Sequence, residues 1–306
     1  MKNIFYRSLI VLSNMMGLWV FRFMAWFVAT GYFLFFPARV AESVRFYGAL
    51  FPSKNLLYHI WCAWKQFHNF TYVYLDRFLL FKNYPIHITH EGWEYLVETV
   101  QRKEGGIILM SHVGNWEMAA HVLKMRGHNI PGMKLLLYLG ERFKDQIEHM
   151  QKEDLIQSGV KIIVARENSV SPTDIVEGIN FLKAGGLVSL TGDRMWRKDQ
   201  RSIAVRFLGH EVFLPETPFV FALLSGTPLY IFFAFRTGRE TYHFQIQPPE
   251  YVRVKDRSER QNAIARAAQI YADRLEEMAR RYPFEWFHFE PFLGRKLDEA
   301  RDAGKP

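Results

Sequence analysis

The sequence predicts an α/β fold, in which a mainly parallel central sheet is flanked by helices and preceded by an N-terminal hydrophobic helix. Short apolar runs alternate with helix-like segments from residue 86 to residue 235, and Gly-Gly breaks interrupt them at 105–106 and 185–186. This alternation is typical of βαβ units, whose strands run parallel. The leading helix is predicted because residues 8–36 contain a single charge, that of Arg22.

Residues 1–40 are predicted to form a membrane anchor. Residues 41–306 are predicted to form one large domain, because no Pro- or Ser-rich linker divides them. About 20 apolar residues are needed to cross a bilayer core. Arg22 divides the apolar segment, and a charge at the centre of a spanning helix costs about 2.5–3.5 kcal/mol. A helix that lies in the membrane interface is therefore the alternative to a span.

The remaining elements follow from the spacing of the apolar residues. Period-two or continuous apolar runs predict strands, and apolar residues three and four positions apart predict helices. The predicted strands are 86–89, 107–110, 134–139, 160–165, 187–191, 229–235, 242–246 and 251–254. The predicted helices are two within 42–81, followed by 92–103, 117–126, 142–157, 173–182, an apolar helix from 219, and 258–282.

Residues 111–117 read Ser-His-Val-Gly-Asn-Trp-Glu and join a predicted buried strand to a predicted helix. His112 falls where the strand ends, at the edge where open α/β sheets bind ligands. Gly114 permits a turn, and Asn115 can cap the helix that follows. The turn can bring Glu117 to His112, so that the carboxylate fixes the imidazole tautomer and His112 acts as a general base. A structural histidine at the end of a strand is the alternative.

The spacing of a histidine and an acid five positions apart is weak evidence alone, because it also occurs at His149 and Asp154. That second pair lies in a charged run, which predicts a solvated helix face. The apolar strand, the glycine turn and the apolar helix around His112 favour chemistry at the first pair. A minor alternative pair is His210-Glu211.

Charged residues also follow two other predicted strands. Asp193 and Arg194 come after the strand 187–191, at the edge predicted to hold His112, and the loop beyond them carries Arg197, Lys198 and Arg201. Arg142 follows the strand 134–139 and could reach the same edge, where its guanidinium would bind an anionic headgroup or a donor phosphate. The alternatives are a basic surface loop for the first group and a solvated helix start for Arg142.

Composition narrows the class of partner. The formal net charge is +8, which favours an anionic partner such as acidic phospholipid or an acidic carrier protein. We find no nucleic-acid-binding motif, so nucleic acid is not an expected partner. Cys62 is the single cysteine, and no His/Cys cluster has zinc spacing. The sequence therefore predicts no disulfide within the chain, no metal and no redox cofactor.

The run Ser-His-Val-Gly-Asn-Trp-Glu resembles the first motif of the late acyltransferases of lipid A biosynthesis, the lauroyl and myristoyl acyltransferases of the wider glycerolipid acyltransferase superfamily. The resemblance implies that His112 and Glu117 form the catalytic dyad and that Asn115 and Arg142 lie with the substrate. It also implies that Asp193-Arg194 holds the phosphate of the acceptor. The chain departs from the lipid A branch in having Arg194 where glutamine is common. It also has Phe289-Glu290-Pro291 where basic residues follow the C-terminal aromatic block.

The function implied is a membrane-anchored O-acyltransferase. It would move a fatty acyl chain from a thioester of acyl carrier protein or coenzyme A to a hydroxyl of a membrane lipid acceptor resembling lipid A. The expected location is the bacterial inner membrane, with the catalytic domain facing the cytoplasm. Two alternatives remain open: a membrane-bound hydrolase that uses the same histidine and glutamate on water, and a non-catalytic lipid-binding protein.

Overall fold

A computed structural model describes residues 17–81, 84–115, 118, 130–140, 161–165, 172–195 and 200–297. The chain enters through three helices: α1 (Leu18–Phe35), α2 (Pro37–Leu50) and α3 (Leu56–Phe81). Pro37 occupies the first turn of α2, where a missing N–H costs nothing. The start of α1 packs on the end of α3, and Phe33 contacts Phe67, so the two helices are antiparallel.

Helix α1 has 18 residues and a mean hydropathy of 1.5, and little of it is buried against the rest of the protein. At 1.5 Å per residue it is about 27 Å long, close to the thickness of a bilayer core. It is therefore a candidate membrane anchor by length and composition. The division at residue 40 stays a prediction.

The α/β prediction is confirmed by a seven-stranded sheet. Its strands are β1 (His87–Glu91), β2 (Gly106–Met110), β3 (Leu135–Gly140), β4 (Lys161–Ala165), β5 (Leu187–Thr191), β8 (Leu229–Arg236) and β9 (Thr241–Ile246). Their order in the sheet is β1-β9-β8-β2-β5-β3-β4. Strands β8, β2, β5, β3 and β4 are parallel, whereas β9 is antiparallel to β8 and pairs in parallel with β1.

Helices cover both faces of this sheet. They are α4 (Trp93–Arg102), α5 (Pro172–Lys183), α6 (Thr217–Ser225) and α7 (Arg260–Arg281). Successive residues of β2 enter different cores: Ile107 and Leu109 pack with residues of α6 and α7, and Ile108 packs with residues of α4. Burial on both faces explains why β2 is apolar throughout.

Two features differ from the sequence expectations. Strands β6 (Ser202–Phe207) and β7 (His210–Pro215) form a separate antiparallel hairpin against α7, which the apolar pattern did not predict. Residues 251–254 do not form the predicted strand, and only Glu250 bridges to Leu229. The preceding Pro248 and Pro249 have no N–H for a ladder hydrogen bond, which explains the short pairing.

Candidate active site

His112 and Asp193 lie together at the carboxyl edge of the sheet. His112 is two residues beyond the end of β2, and Asp193 is two residues beyond the end of β5. The strands are parallel neighbours with Met110 opposite Thr191, so equal extension brings the two side chains to the same height. The meeting of these two strand ends was predicted from the alternation of elements, and the structure brings them together.

Asp193 binds His112 twice. The backbone N–H of His112 donates to Oδ2 over 2.5 Å, and ring Nδ1 is 2.9 Å from Oδ1. A carboxylate accepts at both oxygens, so Nδ1 carries the ring proton and Nε2 presents its lone pair. The Asp193 side chain is fully buried, whereas 15% of the His112 side chain is exposed. This arrangement can take a proton from a bound hydroxyl.

The charge of Asp193 is stabilised inside the protein. Burial acts to raise its pKa, but the attraction of His112 and the hydrogen bonds from His112 outweigh burial and hold the pKa below its usual value. Asp193 is therefore a carboxylate at neutral pH. It can stabilise the imidazolium that forms when His112 takes a proton.

Close backbone packing fixes the loop that carries Asp193. The N–H of Gly192 donates to the carbonyl of Met110 over 3.0 Å, and the hydroxyl of Tyr271 donates to the same carbonyl over 2.9 Å. A Cβ at Gly192 would lie 2.6 Å from the side chain of Leu109 and 2.8 Å from the ring of Tyr271. Glycine is thus required for the close packing of residue 192 against Leu109 and Tyr271. Helix α7 contacts the site through the Tyr271 hydroxyl.

The turn after His112 requires Gly114. Its φ is +84°, and a Cβ there would lie 2.2 Å from the carbonyl oxygen of Ala234 on β8. The next residue, Asn115, donates its backbone N–H to that carbonyl over 2.7 Å. The Asn115 side chain accepts the N–H of Met118 over 3.2 Å, as expected of a helix cap.

A buried polar network holds Asn115 from the other side. Its side-chain amide donates to the hydroxyl of Tyr242, 3.1 Å away, and that hydroxyl donates to the carboxylate of Asp76 on α3. Asp76 also lies 3.4 Å from the guanidinium of Arg236. Asn115 is 4% exposed and bonded at both ends, so its observed contacts are structural.

The C-terminal segment forms the other wall of the site. Phe287 donates its N–H to the carbonyl of His112 over 2.8 Å, and Trp286 pairs with Val113. Arg194 forms an ion pair with Glu290, with 2.6 Å between Nη2 and Oε1. This pair joins the two positions at which the chain departs from the lipid A pattern.

A second histidine, His288, was not identified from the sequence. Its ring centroid is 5.6 Å from that of His112, and the ring planes meet at 82°. It was hidden in the C-terminal aromatic block, and no local spacing connects it to His112. Only the long-range pairing of residues 286 and 287 with the His112 loop brings it to the site.

The backbone amides beside His112 already have acceptors. The N–H groups of residues 112–115 donate to Asp193, to the hydroxyl of Ser111, and to the carbonyls of Glu285 and Ala234. These four amides therefore do not supply an oxyanion hole in this conformation. Within the described ranges, no group of three His, Cys, Asp or Glu side chains is arranged to hold a metal ion.

The remaining residues predicted from the sequence fall into two groups. Glu117 and Arg142 lie outside the described residues, as does the pair His149 and Asp154. The pairing of Glu117 with His112 therefore stays a prediction, while Nδ1 of His112 is hydrogen-bonded to Asp193. His210 bonds the carbonyl of Leu208 in its own hairpin and Glu211 pairs with Arg295, so those two residues do not act on one another.

Comparison of the sequence with models of known protein families identifies the family of this chain. A family model described as bacterial lipid A biosynthesis acyltransferase matches residues 77–293, which include every described residue of the His112 site outside α3. The chain belongs to this family. No individual curated protein matches it. The protein is accordingly an acyltransferase, and the matched range begins one residue after Asp76, so helices α1 and α2 lie outside it.

Proposed function

We propose that this acyltransferase moves a fatty acyl chain from a thioester to a hydroxyl of a membrane lipid resembling lipid A, with His112 as the general base. The observation that carries the proposal is the double hydrogen bond between His112 and Asp193 at the sheet edge. It leaves Nε2 of a partly exposed histidine able to accept a proton. The lipid A acyltransferase family supports the reaction class.

The reaction proceeds by addition and elimination. Nε2 of His112 takes the proton of the acceptor hydroxyl while the oxygen attacks the thioester carbonyl carbon. The carbonyl becomes a tetrahedral oxyanion. Its collapse forms the ester, breaks the carbon–sulfur bond and releases the thiolate, which recovers the proton from the His112 imidazolium. No serine or cysteine nucleophile is needed, because the thioester is already activated.

Asp193 has the orienting role in this proposal. It keeps the proton on Nδ1 and stabilises the imidazolium between the two proton transfers. Arg194 follows it in the chain and is paired with Glu290, so a substrate phosphate or the oxyanion would bind this guanidinium in competition with the Glu290 carboxylate. Arg142 remains a predicted anion-binding residue.

The donor is proposed to be acyl carrier protein or coenzyme A. A net charge of +8 favours the acidic carrier protein through long-range attraction. Helix α1 would hold the enzyme on the bacterial inner membrane, with the domain on the cytoplasmic side where the acyl thioesters are made. Its aromatic side chains support this part of the proposal, because Trp19, Phe23 and Phe27 are each more than half exposed.

The test is transfer of a radiolabelled acyl chain from acyl carrier protein into total bacterial membrane lipids. Wild type is compared with His112→Asn, whose amide can still donate to Asp193 but cannot act as a base. The matched control is Asp273→Asn, at an exposed carboxylate of α7. We expect labelled lipid from wild type and the control, and a loss of at least about 100-fold in His112→Asn.

The products separate the alternatives. Labelled lipid identifies the acceptor for mass analysis and establishes a transferase. Free labelled fatty acid without labelled lipid would establish the hydrolase instead. Transfer that survives in His112→Asn would remove His112 from the mechanism, even if the reaction class holds.

A further inference from the structure

Two imidazole rings, those of His112 and His288, lie close together at the candidate site. His112 offers a lone pair at Nε2, and that nitrogen is assigned to the reacting hydroxyl. His288 lies across the site with its ring edge-to-face to His112, and no step of the proposed reaction uses it. A second imidazole at this position is close enough to the reacting hydroxyl to contact a neighbouring part of the same substrate.

The tautomer of His288 is fixed by its neighbour. Nδ1 is 3.2 Å from the backbone carbonyl of Glu290. A carbonyl oxygen can only accept, so Nδ1 must carry the proton of the neutral ring, and Nε2 has only a lone pair to offer. No hydrogen bond to Nε2 comes from any residue that the structure describes.

The ring is also held neutral and in place. His288 is 8% exposed, and burial, with the nearby His112, lowers its pKa to about 4. It stacks on Trp286 at 5.8 Å between centroids and contacts Phe292 at 4.9 Å. An uncharged imidazole fixed by packing on two aromatic rings is a preorganised hydrogen-bond acceptor.

A single hydroxyl cannot satisfy both histidines. The reacting hydroxyl has one proton, which goes to Nε2 of His112. When substrate covers Nε2 of His288, its lone pair loses the hydrogen bond that it can accept from water. This loss makes the binding free energy less favourable unless a second hydrogen-bond donor of the substrate replaces the water. With ring centroids 5.6 Å apart, that donor belongs close to the reacting hydroxyl on the same molecule.

We propose that His288 binds the acceptor by accepting, at Nε2, a hydrogen bond from a second donor group beside the reacting hydroxyl. The donor is a neighbouring hydroxyl or an amide N–H. This inference rests on the proposed function and narrows its acceptor: a lipid that carries a lone hydroxyl with no donor next to it would be a poor substrate.

The experiment compares His288→Phe with His288→Gln in the acyl-transfer assay, with total bacterial membrane lipid in detergent micelles as the acceptor. Phenylalanine keeps the aromatic packing but has no acceptor atom, whereas glutamine keeps an acceptor oxygen. His87→Phe on β1 is the matched control, because His87 is exposed. Thermal unfolding of all variants checks that each is folded.

We expect His288→Phe to raise the apparent KM for acceptor lipid about three- to tenfold, the effect of one neutral hydrogen bond, with kcat within about twofold. His288→Gln should recover most of the affinity. An unchanged KM in His288→Phe, or an equal loss in both variants, would overturn the inference. Absence of transfer by the wild type would refute the proposed function instead, so the two failures are distinguishable.

Discussion

His112 and Asp193 are 81 residues apart in the chain, yet one carboxylate holds both the ring and the backbone of the histidine. The hydrogen bond to the ring fixes the tautomer of His112, and the hydrogen bond from the backbone N–H fixes the start of the loop that follows β2. Since the two residues extend equally beyond adjacent parallel strands, the sheet register sets their separation. The geometry of the base therefore depends on core packing and not on a flexible loop.

Replacement of Asp193 by asparagine tests this dependence. The amide oxygen can still accept from His112, but the buried negative charge that favours the imidazolium is lost, and the wrong tautomer becomes accessible. We expect kcat to fall by about 10²–10⁴-fold. The measurement is the rate of acyl transfer at saturating donor, with Asp273→Asn as control and thermal unfolding to confirm folding. A loss below about tenfold would show that another group orients His112.

Local sequence pattern determines the strands of the sheet and the positions of their ends. The apolar runs predicted the parallel strands, and strand ends predicted that His112 and Asp193 would share an edge. Sequence spacing reveals only nearby residues, so it predicts Glu117 as the partner of His112, and that prediction stays open because Glu117 lies outside the described residues. The contact of His112 with Asp193 joins the ends of two strands and depends on the order β2-β5 and on their register.

Other features depend on long-range pairing and could not be predicted from the pattern. His288 reaches the site because residues 286 and 287 bond to the His112 loop. The ion pair of Arg194 with Glu290 joins two segments 96 residues apart. The spacing of apolar residues predicts neither contact. Arg194 and Glu290 do lie in the two segments at which the chain departs from the lipid A pattern.

Gly114 and Gly132 form a matched pair for a test of the turn. Their φ angles are +84° and +83°, so alanine suffers the same backbone strain at both, about 1–2 kcal/mol. Only Gly114 meets a backbone atom, at 2.2 Å, while nothing lies within 4 Å of the Cβ position at Gly132. We expect Gly114→Ala to lower stability by about 1–3 kcal/mol more than Gly132→Ala.

Activity should separate the same two variants. Gly114→Ala must displace the loop that carries His112, so acyl transfer should fall at least about tenfold, since small misplacements of catalytic groups are costly. Gly132→Ala should retain wild-type transfer. Denaturant unfolding and the transfer assay measure the two effects. Equal losses in both variants would mean that only the strain of a positive φ matters.

His288 predicts a specific pH dependence of stability. Its pKa falls from 6.5 to about 4 on folding, so the unfolded chain binds more protons between these values. Stability from the buried neutral ring is therefore complete above about pH 6.5 and is lost as pH falls towards 4. We expect wild type to lose about 2 kcal/mol more than His288→Phe between about pH 7.5 and about pH 5. Denaturant unfolding of both proteins at the two pH values measures this difference. An equal loss of unfolding free energy in wild type and His288→Phe would contradict the prediction.

The exposed face of α1 allows a test of membrane attachment that leaves the fold intact. Phe23 and Phe27 are 55% and 51% exposed, and their rings contact at 4.9 Å. Glutamate at either position puts a charge on the face proposed to enter the bilayer, at a cost of about 2–3 kcal/mol on insertion scales. We expect Phe23→Glu and Phe27→Glu to reduce flotation with phospholipid vesicles, most strongly in the double variant.

The control is Tyr251→Glu, at an aromatic residue that is 40% exposed and outside α1, and this variant should float as wild type does. Because all three side chains are exposed, thermal unfolding should change little in any variant. Undiminished flotation of the double variant would show that this face of α1 does not contact lipid.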